Sequence, residues 1–549
     1  MDAAPKSSPD WWKRTSIYQI YPRSFQDSNG DGIGDLQGII SRLDYIKGLG
    51  IETIWISPFY ASPQGDFGYD ISDYCAVAPE YGTIADAEEL IAAVHERGMK
   101  IVMDMVLNHT SEEHPWFLES RMSRDNPKAD WYIWRDGKGA DGKRPPNNWR
   151  SMIGPRGWQW SASRKQWYFA SFLNFQPDLN YRNPEVKAAM FEVLRFWLRK
   201  GVDGFRLDIF NAIMKDADFR DNPFSWHLLP TFDGMNANFQ HRLYTVNHPD
   251  NFQLAQEVRA VIDEFPGRFL VGEVFGQHPT IKRFLGEKQD GLNLIFLFDM
   301  LFFRFKPEFF RKRLEEYEEH YRSPLVPTFV MGNHDNKRSI GRVGGDLERA
   351  KALAILQMTT RGVPVVYYGE EIGMQDAEIH KSEAKDPLSR LYGWVPSWLR
   401  RLMPVPLNRD VSRTPMRWDS GPNAGFCRED VGPWLPISEG LSERNVATQS
   451  DRTDSLMQAY RELLALRKQH SVLVEGDLEL IAAENLPASV LGFRRRLGSL
   501  EATVLVHFGR KATRIPDGIV SGAPIFAMNW DSINMTFKGL GGVILFQSI

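Results

Sequence analysis

Gly204-Phe205-Arg206-Leu207-Asp208 is a short apolar run that ends in an acid. Two later stretches repeat the arrangement: Phe269-Leu270-Val271-Gly272-Glu273 and Phe329-Val330-Met331-Gly332-Asn333-His334-Asp335. Each reads as a buried strand with a carboxylate at its C-terminal end, because strands of a parallel sheet are covered on both faces and run continuously apolar. An acid at the tip of such a strand is costly to bury unless it is paired or used. One strand-end Asp is equally well explained as the cap of the following helix. Three of them, two with an Arg or His close by, point to chemistry.

Working outward, strand-like runs at 17–21, 53–57, 100–108, 204–209, 269–274, 294–299, 327–332 and 364–368 alternate with amphipathic segments such as 36–48, 85–97, 184–199 and 347–360. This α/β alternation predicts a (β/α)8 TIM barrel, whose active site lies at the C-terminal ends of the strands. The three acids close the fourth, fifth and seventh strands.

Two intervals break the pattern. Residues 110–174 are rich in Trp, Arg, Pro and Gly and too long for a plain loop, so they read as a subdomain inserted after the third strand. Residues 376–413 form an irregular excursion after the eighth. The expected division is barrel at 1–109 and 175–469, insert at 110–174, and a C-terminal antiparallel β-sandwich at 470–549, where short apolar runs are separated by Gly, Pro and Asn.

At 549 residues the chain exceeds a single core. Its net charge of -4 favours neither nucleic acid nor an anionic membrane as partner. There is no run of about 18 apolar residues to span a bilayer, and the N-terminal segment lacks the pattern of a signal peptide. Cys75 and Cys427 lie far apart with no CxxC spacing; they read as free buried thiols of a cytoplasmic, reducing compartment, with a disulfide as the lesser alternative. Aromatic content is 12% with 17 Trp, rings that either fill cores or stack on sugar faces. Composition alone does not choose between these.

Near the start, Asp27-Ser28-Asn29-Gly30-Asp31-Gly32-Ile33-Gly34-Asp35 sets oxygen donors at alternate positions with Gly at the sixth, the logic of a loop that wraps Ca²⁺. Gly38 stands where an EF-hand needs its bidentate Glu, so this is no EF-hand. An Asp/Gly turn without metal is the alternative.

Four ordered motifs now carry a resemblance: Asp104-Met105-Val106-Leu107-Asn108-His109, Gly204 to Asp208, Gly272-Glu273 and Asn333-His334-Asp335. The chain resembles the α-amylase family of glycoside hydrolases (family thirteen), in its oligo-1,6-glucosidase and α-glucosidase branch. The resemblance runs from about Trp11 to the C-terminus and implies a retaining α-glycosidase with no organic cofactor. It makes Asp208 the nucleophile and Glu273 the acid/base, the pair that double displacement needs about 5 Å apart. It makes Asp335 the third acid, gripping sugar hydroxyls. Arg206, two residues before Asp208 on the same strand face, is placed to keep that nucleophile ionised. Glu273 has no cation beside it in sequence, and an apolar setting would keep it protonated.

The resemblance further implies that His109 and His334 bind hydroxyls of the terminal sugar, with Asp104 supporting them. Asp66-Phe67-Gly68-Tyr69-Asp70 matches a segment whose Tyr69 stacks beneath that sugar and whose Asp66 pairs with Arg413, closing the pocket so that only a terminal glucose is attacked. Phe67 departs from the usual Asn. The metal-loop ligands would be Asp27, Asn29, Asp31 and Asp35 by side chain and Ile33 by its carbonyl, for structural Ca²⁺ or sometimes Mg²⁺.

Linkage is not legible. The residue after the nucleophile tends to be Val in α-1,6 enzymes and Ala or Thr in α-1,4 enzymes; here it is Ile209, and a one-methylene difference is worth only about 1–3 kcal/mol. Trp226, Trp394 and Trp398 read equally as platforms for the leaving group or as packing. The expectation is a cytoplasmic exo-acting α-glucosidase for short α-glucosides, as monomer or homo-oligomer. An α-glucosyltransferase or sucrose isomerase is the alternative. A non-catalytic transporter-associated glycoprotein is a different class, opposed by the retained acids.

Overall fold

The computed structural model describes residues 10–548 except 155, 232, 381 and 397–405. Eight parallel strands form its centre: β1 Ile17–Ile20, β2 Thr53–Ile56, β3 Lys100–Met105, β4 Gly204–Leu207, β5 Phe269–Glu273, β6 Leu294–Phe296, β7 Thr328–Val330 and β8 Val363–Tyr367. They are the eight runs expected from sequence, seven of them trimmed at their ends and the eighth shifted one residue earlier. Their order, β6-β5-β4-β3-β2-β1-β8-β7, is that of a barrel. No ladder joins β6 to β7 among the described pairings. Thr328 bridges that seam instead, its hydroxyl donating to the Ile295 carbonyl and accepting from the Leu297 amide, both at 2.9 Å.

The alternation of strand side chains divides the barrel interior in two. Its lower part is an apolar plug of Ile17, Trp55, Val102, Phe269, Val271, Leu294, Val330, Val363 and Val365, closed beneath by Trp12. Gly204 is required there, since a Cβ would lie 2.3 Å from the Phe269 carbonyl oxygen. One step further along the same strands the inward positions become Gln19, Asp104, Arg206 and Glu273. The register pairs Arg206 with Asp104 on one side and Val271 on the other, so the polar layer sits directly on the apolar one.

Between β3 and β4 the chain builds a three-stranded antiparallel sheet of Trp134–Arg135, Trp158–Ser161 and Gln166–Phe169. Its small core of Ile133, Trp149, Trp158 and Phe169 also takes in Phe219 and Tyr244 from the segment after β4, which ties the insert to the mouth of the barrel. Six antiparallel strands from Asp477 to Ser548 form the C-terminal domain. The last, Thr536–Ser548, pairs with Leu500–His507 and Thr513–Arg514 on one edge and with Ala523–Asp531 on the other. Cys75 is half-buried, Cys427 is buried, and both are free thiols. No helix of the described residues is long and apolar enough to cross a membrane.

Candidate active site

The ends of β3, β4 and β5 bring three carboxylates onto one guanidinium. Arg206 is buried; its Nη1 donates to Asp104 at 2.7 and 2.9 Å and to Asp208 at 2.7 Å, and its Nη2 donates to Glu273. Glu273 has no cation beside it in sequence, but the fold supplies one: Arg206 is sixty-seven residues away and on the adjacent strand. The acid is nonetheless raised to about 8, because burial and the charges of Asp208 and Asp335 outweigh Arg206. Asp104 is likewise pushed up to about 7, by burial first, with Arg206 opposing and Asp208 adding. One cation does not offset the burial of both Glu273 and Asp104.

Ile209 follows Asp208 in the left-handed region, φ 38° and ψ 43°, a strained position for a β-branched residue. This turn aims its amide at Glu273 Oε2, 3.3 Å away. The side chain lines the cavity.

After β7, Asn333 makes the turn, its Oδ1 accepting from the Asp335 amide at 3.1 Å and from Asn336 Nδ2 at 3.0 Å. Asp335 then faces the cavity with a third of its side chain open. Arg413 Nη2 at 2.8 Å, Arg409 Nη1 at 3.3 Å and His334 Nε2 at 3.2 Å surround it. Burial would raise this carboxyl, but His334, Arg409, Arg413 and Arg206 together hold it below the usual carboxylate range.

Here the structure corrects the expected closure. Asp66 pairs with Arg409 at 2.6 Å, not with Arg413. Arg413 is buried behind Asp335, its Nε donating to the His334 carbonyl at 2.8 Å, and it does not reach Asp66. Arg409 opens the 3-10 helix Arg409–Ser412 and Arg413 caps its C-terminal end, so the two point to different partners and Arg409 takes the wall. An Arg four residues before Arg413 was the signal available in the sequence. Gln176, also unforeseen, holds the other Asp66 oxygen at 3.0 Å.

The cavity between these clusters measures about 480 Å³. Asp66, Tyr69, His109, Asp208, Glu273, Asp335 and Arg409 are among its polar lining, and Met152, Phe172, Ile209, Phe275, Phe298, Leu301 and Phe302 among its apolar lining. His334 is not on its surface. The imidazole is fully buried under Tyr69, the rings parallel at 5.3 Å, with Nε2 2.6 Å from the Tyr69 hydroxyl and Nδ1 2.7 Å from Gln19 Nε2. It backs the Tyr69 ring. Burial lowers it to about 3 against the pull of Asp335, so it is neutral. His109 does line the cavity, its Nε2 3.1 Å from the Tyr69 carbonyl, and burial lowers its pKa as well.

Phe67 turns away from the cavity and packs on Trp434 and Arg23, so its departure from Asn removes no polar group from the wall. Trp226 is 87% exposed and Trp394 78%, neither lining the cavity nor packed in a core. Trp398 lies outside the described residues.

In the N-terminal loop, Asp27 and Asp35 are buried without an ion-pair partner among the described residues. The Asp27 carboxylate accepts from the Gly30 and Gly32 amides. Asn29 and Asp31 each accept one amide hydrogen bond. Each of these three keeps lone pairs for a cation, and the donor set is that of a hard divalent ion. Asp35 differs from expectation: it caps the helix Leu36–Ser41 and takes four hydrogen bonds, from Ser28 N, Ser28 Oγ, Asn29 N and Gly38 N.

A barrel whose strand ends bring Asp208 and Glu273 onto one arginine, with a third, ionised acid lining the same cavity, has the carboxylate set of a glycoside hydrolase. The chain belongs to the α-amylase family: the description "Alpha amylase, catalytic domain" matches residues 19–476. It is 43% identical over 519 residues to a probable alpha-glucosidase of Rhizobium meliloti, covering 92% of this chain and 90% of the relative. It is 37% identical over 538 residues to an oligo-1,6-glucosidase of Parageobacillus thermoglucosidasius, covering 93% of each. Among solved structures, an alpha-glucosyl transfer enzyme superposes with TM-score 0.86 at 36% identity, over 98% of this chain and 99% of the other. A trehalulose synthase from Pseudomonas mesoacidophila superposes with TM-score 0.87 at 32% identity, over 99% of each chain.

Proposed function

We propose that this chain is a retaining, exo-acting α-glucosidase that removes a terminal glucose from short α-glucosides. The observation that carries the reading is the Asp66–Arg409 pair at 2.6 Å, lining the same cavity as Asp208 and Glu273, which we read as closing the non-reducing side beyond one sugar. Asp208 attacks the anomeric carbon while Glu273, held protonated by burial, gives its proton to the leaving oxygen. Ionised Asp335 accepts hydrogen bonds from hydroxyls of the same ring. Glu273, then deprotonated, activates water on the glucosyl-enzyme. The test is the early product from maltohexaose: glucose alone is expected, and maltose or maltotriose would overturn the closed pocket.

A second reading concerns the acceptor. Ile209, Phe275, Phe298, Leu301 and Phe302 wall the cavity beside Glu273 with apolar groups, which favours transfer to a bound hydroxyl over attack by water. The relatives named for glucosyl transfer and trehalulose synthesis support this course. Assays on maltose, isomaltose, sucrose and trehalose that report glucose and transfer products together give the ratio and the linkage preference.

We further propose that Asp27, Asn29, Asp31 and the Ile33 carbonyl hold a structural Ca²⁺ or Mg²⁺, supported by buried Asp27, which has no cationic partner among the described residues. Free Cys75 and Cys427 support a reducing, cytoplasmic compartment.

A further inference from the structure

Arg409 meets three carboxylates, and only two of them face the cavity. Asp66 and Asp335 line it; Asp386 is fully buried behind the guanidinium, within the irregular segment after β8. Its Oδ1 lies 2.8 Å from Arg409 Nη2 and 3.3 Å from Nε, and its Oδ2 lies 3.1 Å from Nε and 2.5 Å from the Arg409 amide. Asp386 thus grips both ends of the residue, backbone and side chain. The bonds left to the guanidinium are Nη2 to Asp66 at 2.6 Å and Nη1 to Asp335 at 3.3 Å.

We propose that Asp386 is the positioning residue of the closed end of the pocket. An arginine on a loop has many rotamers, and two acids on opposite walls would each draw the guanidinium to themselves. A buried third carboxylate gripping Nε and Nη2 selects the one rotamer in which the remaining donors reach Asp66 and Asp335 together. The placement rests on the closed-pocket reading above and adds to it the residue that keeps the wall shut. Asp386 also caps the helix Pro387–Leu391 through the Leu388 amide at 3.1 Å, so a purely local role has to be separated from this one.

Asp386→Asn keeps a capping oxygen and removes the charge. On maltose, KM should rise roughly tenfold with kcat nearly unchanged, the signature of lost ground-state binding. In the Arg409→Ala background the same substitution should change KM less than about twofold, because the two residues act as one unit. Maltohexaose should yield some early maltose with Asp386→Asn and none with the unmodified enzyme. An equal KM change in both backgrounds, or a lowered melting temperature with KM unchanged, would reduce Asp386 to a cap and overturn the proposal. Asp386→Ser, also a capping residue, serves the same cycle if the Asn variant does not fold. Early maltose from the unmodified enzyme would instead defeat the closed pocket itself, a failure distinguishable from that of Asp386.

Discussion

Two guanidinium clusters face each other across the cavity, and they treat their acids in opposite ways. At the barrel strands a single cation, Arg206, serves Asp104, Asp208 and Glu273; Glu273 rises to about 8 and Asp104 to about 7. At the loops two cations, Arg409 and Arg413, serve Asp66, Asp335 and Asp386; Asp335 and Asp386 are both lowered, His334 and the arginines overcoming burial at Asp335 and the arginines at Asp386. Burial is common to both. The ratio of cations to acids decides which side stores a proton and which stays charged, and a glycosidase needs one of each.

The largest test of this contrast is Asp208→Asn, which removes the proposed nucleophile and should lower kcat at least roughly 10³-fold, about 4 kcal/mol of barrier. Near-normal turnover of an aryl α-glucoside would reject the assignment. Glu273→Gln should cost roughly 10²-fold or more on maltose and less on an aryl glucoside, whose leaving group needs little protonation. Equal losses on both would remove Glu273 as the acid.

The proton-storing side also predicts a pH limb. Glu273 works protonated, so kcat/KM should fall as pH rises through about 8, and the Gln variant should lose that limb. An alkaline limb that survives in Glu273→Gln would assign it to another group.

On the charged side, Arg409→Ala leaves Asp66 and Asp335 short of a partner. Loss of charge-assisted hydrogen bonds worth about 1.5–3 kcal/mol should lower kcat/KM roughly 10–100-fold, mostly through KM. A loss confined to kcat would move Arg409 into the chemistry.

The smallest effect lies outside both clusters. If Asp27, Asn29, Asp31 and Ile33 hold Ca²⁺, chelation should lower the melting temperature by linkage and leave low-temperature turnover alone. Immediate loss of turnover at constant melting temperature would contradict the structural role.

The eight strands, the three acids and Arg206 were legible because each depends on local pattern: an apolar run of strand length, then a carboxylate at its tip. Asp66, Tyr69 and His109 were legible as motif members, and they line the cavity. The partner of Asp66 was not, since the choice between Arg409 and Arg413 turns on the direction of a loop after β8. Nor was His334's burial under Tyr69, which follows from how the β2 and β7 loops meet. Sequence by itself determined which residue types stand at the ends of the strands, because strand period and apolar runs are local properties of the chain. Only the tertiary structure decided which cation serves which acid, and so which acid keeps its proton, because that depends on side chains brought together from strands and loops up to hundreds of residues apart.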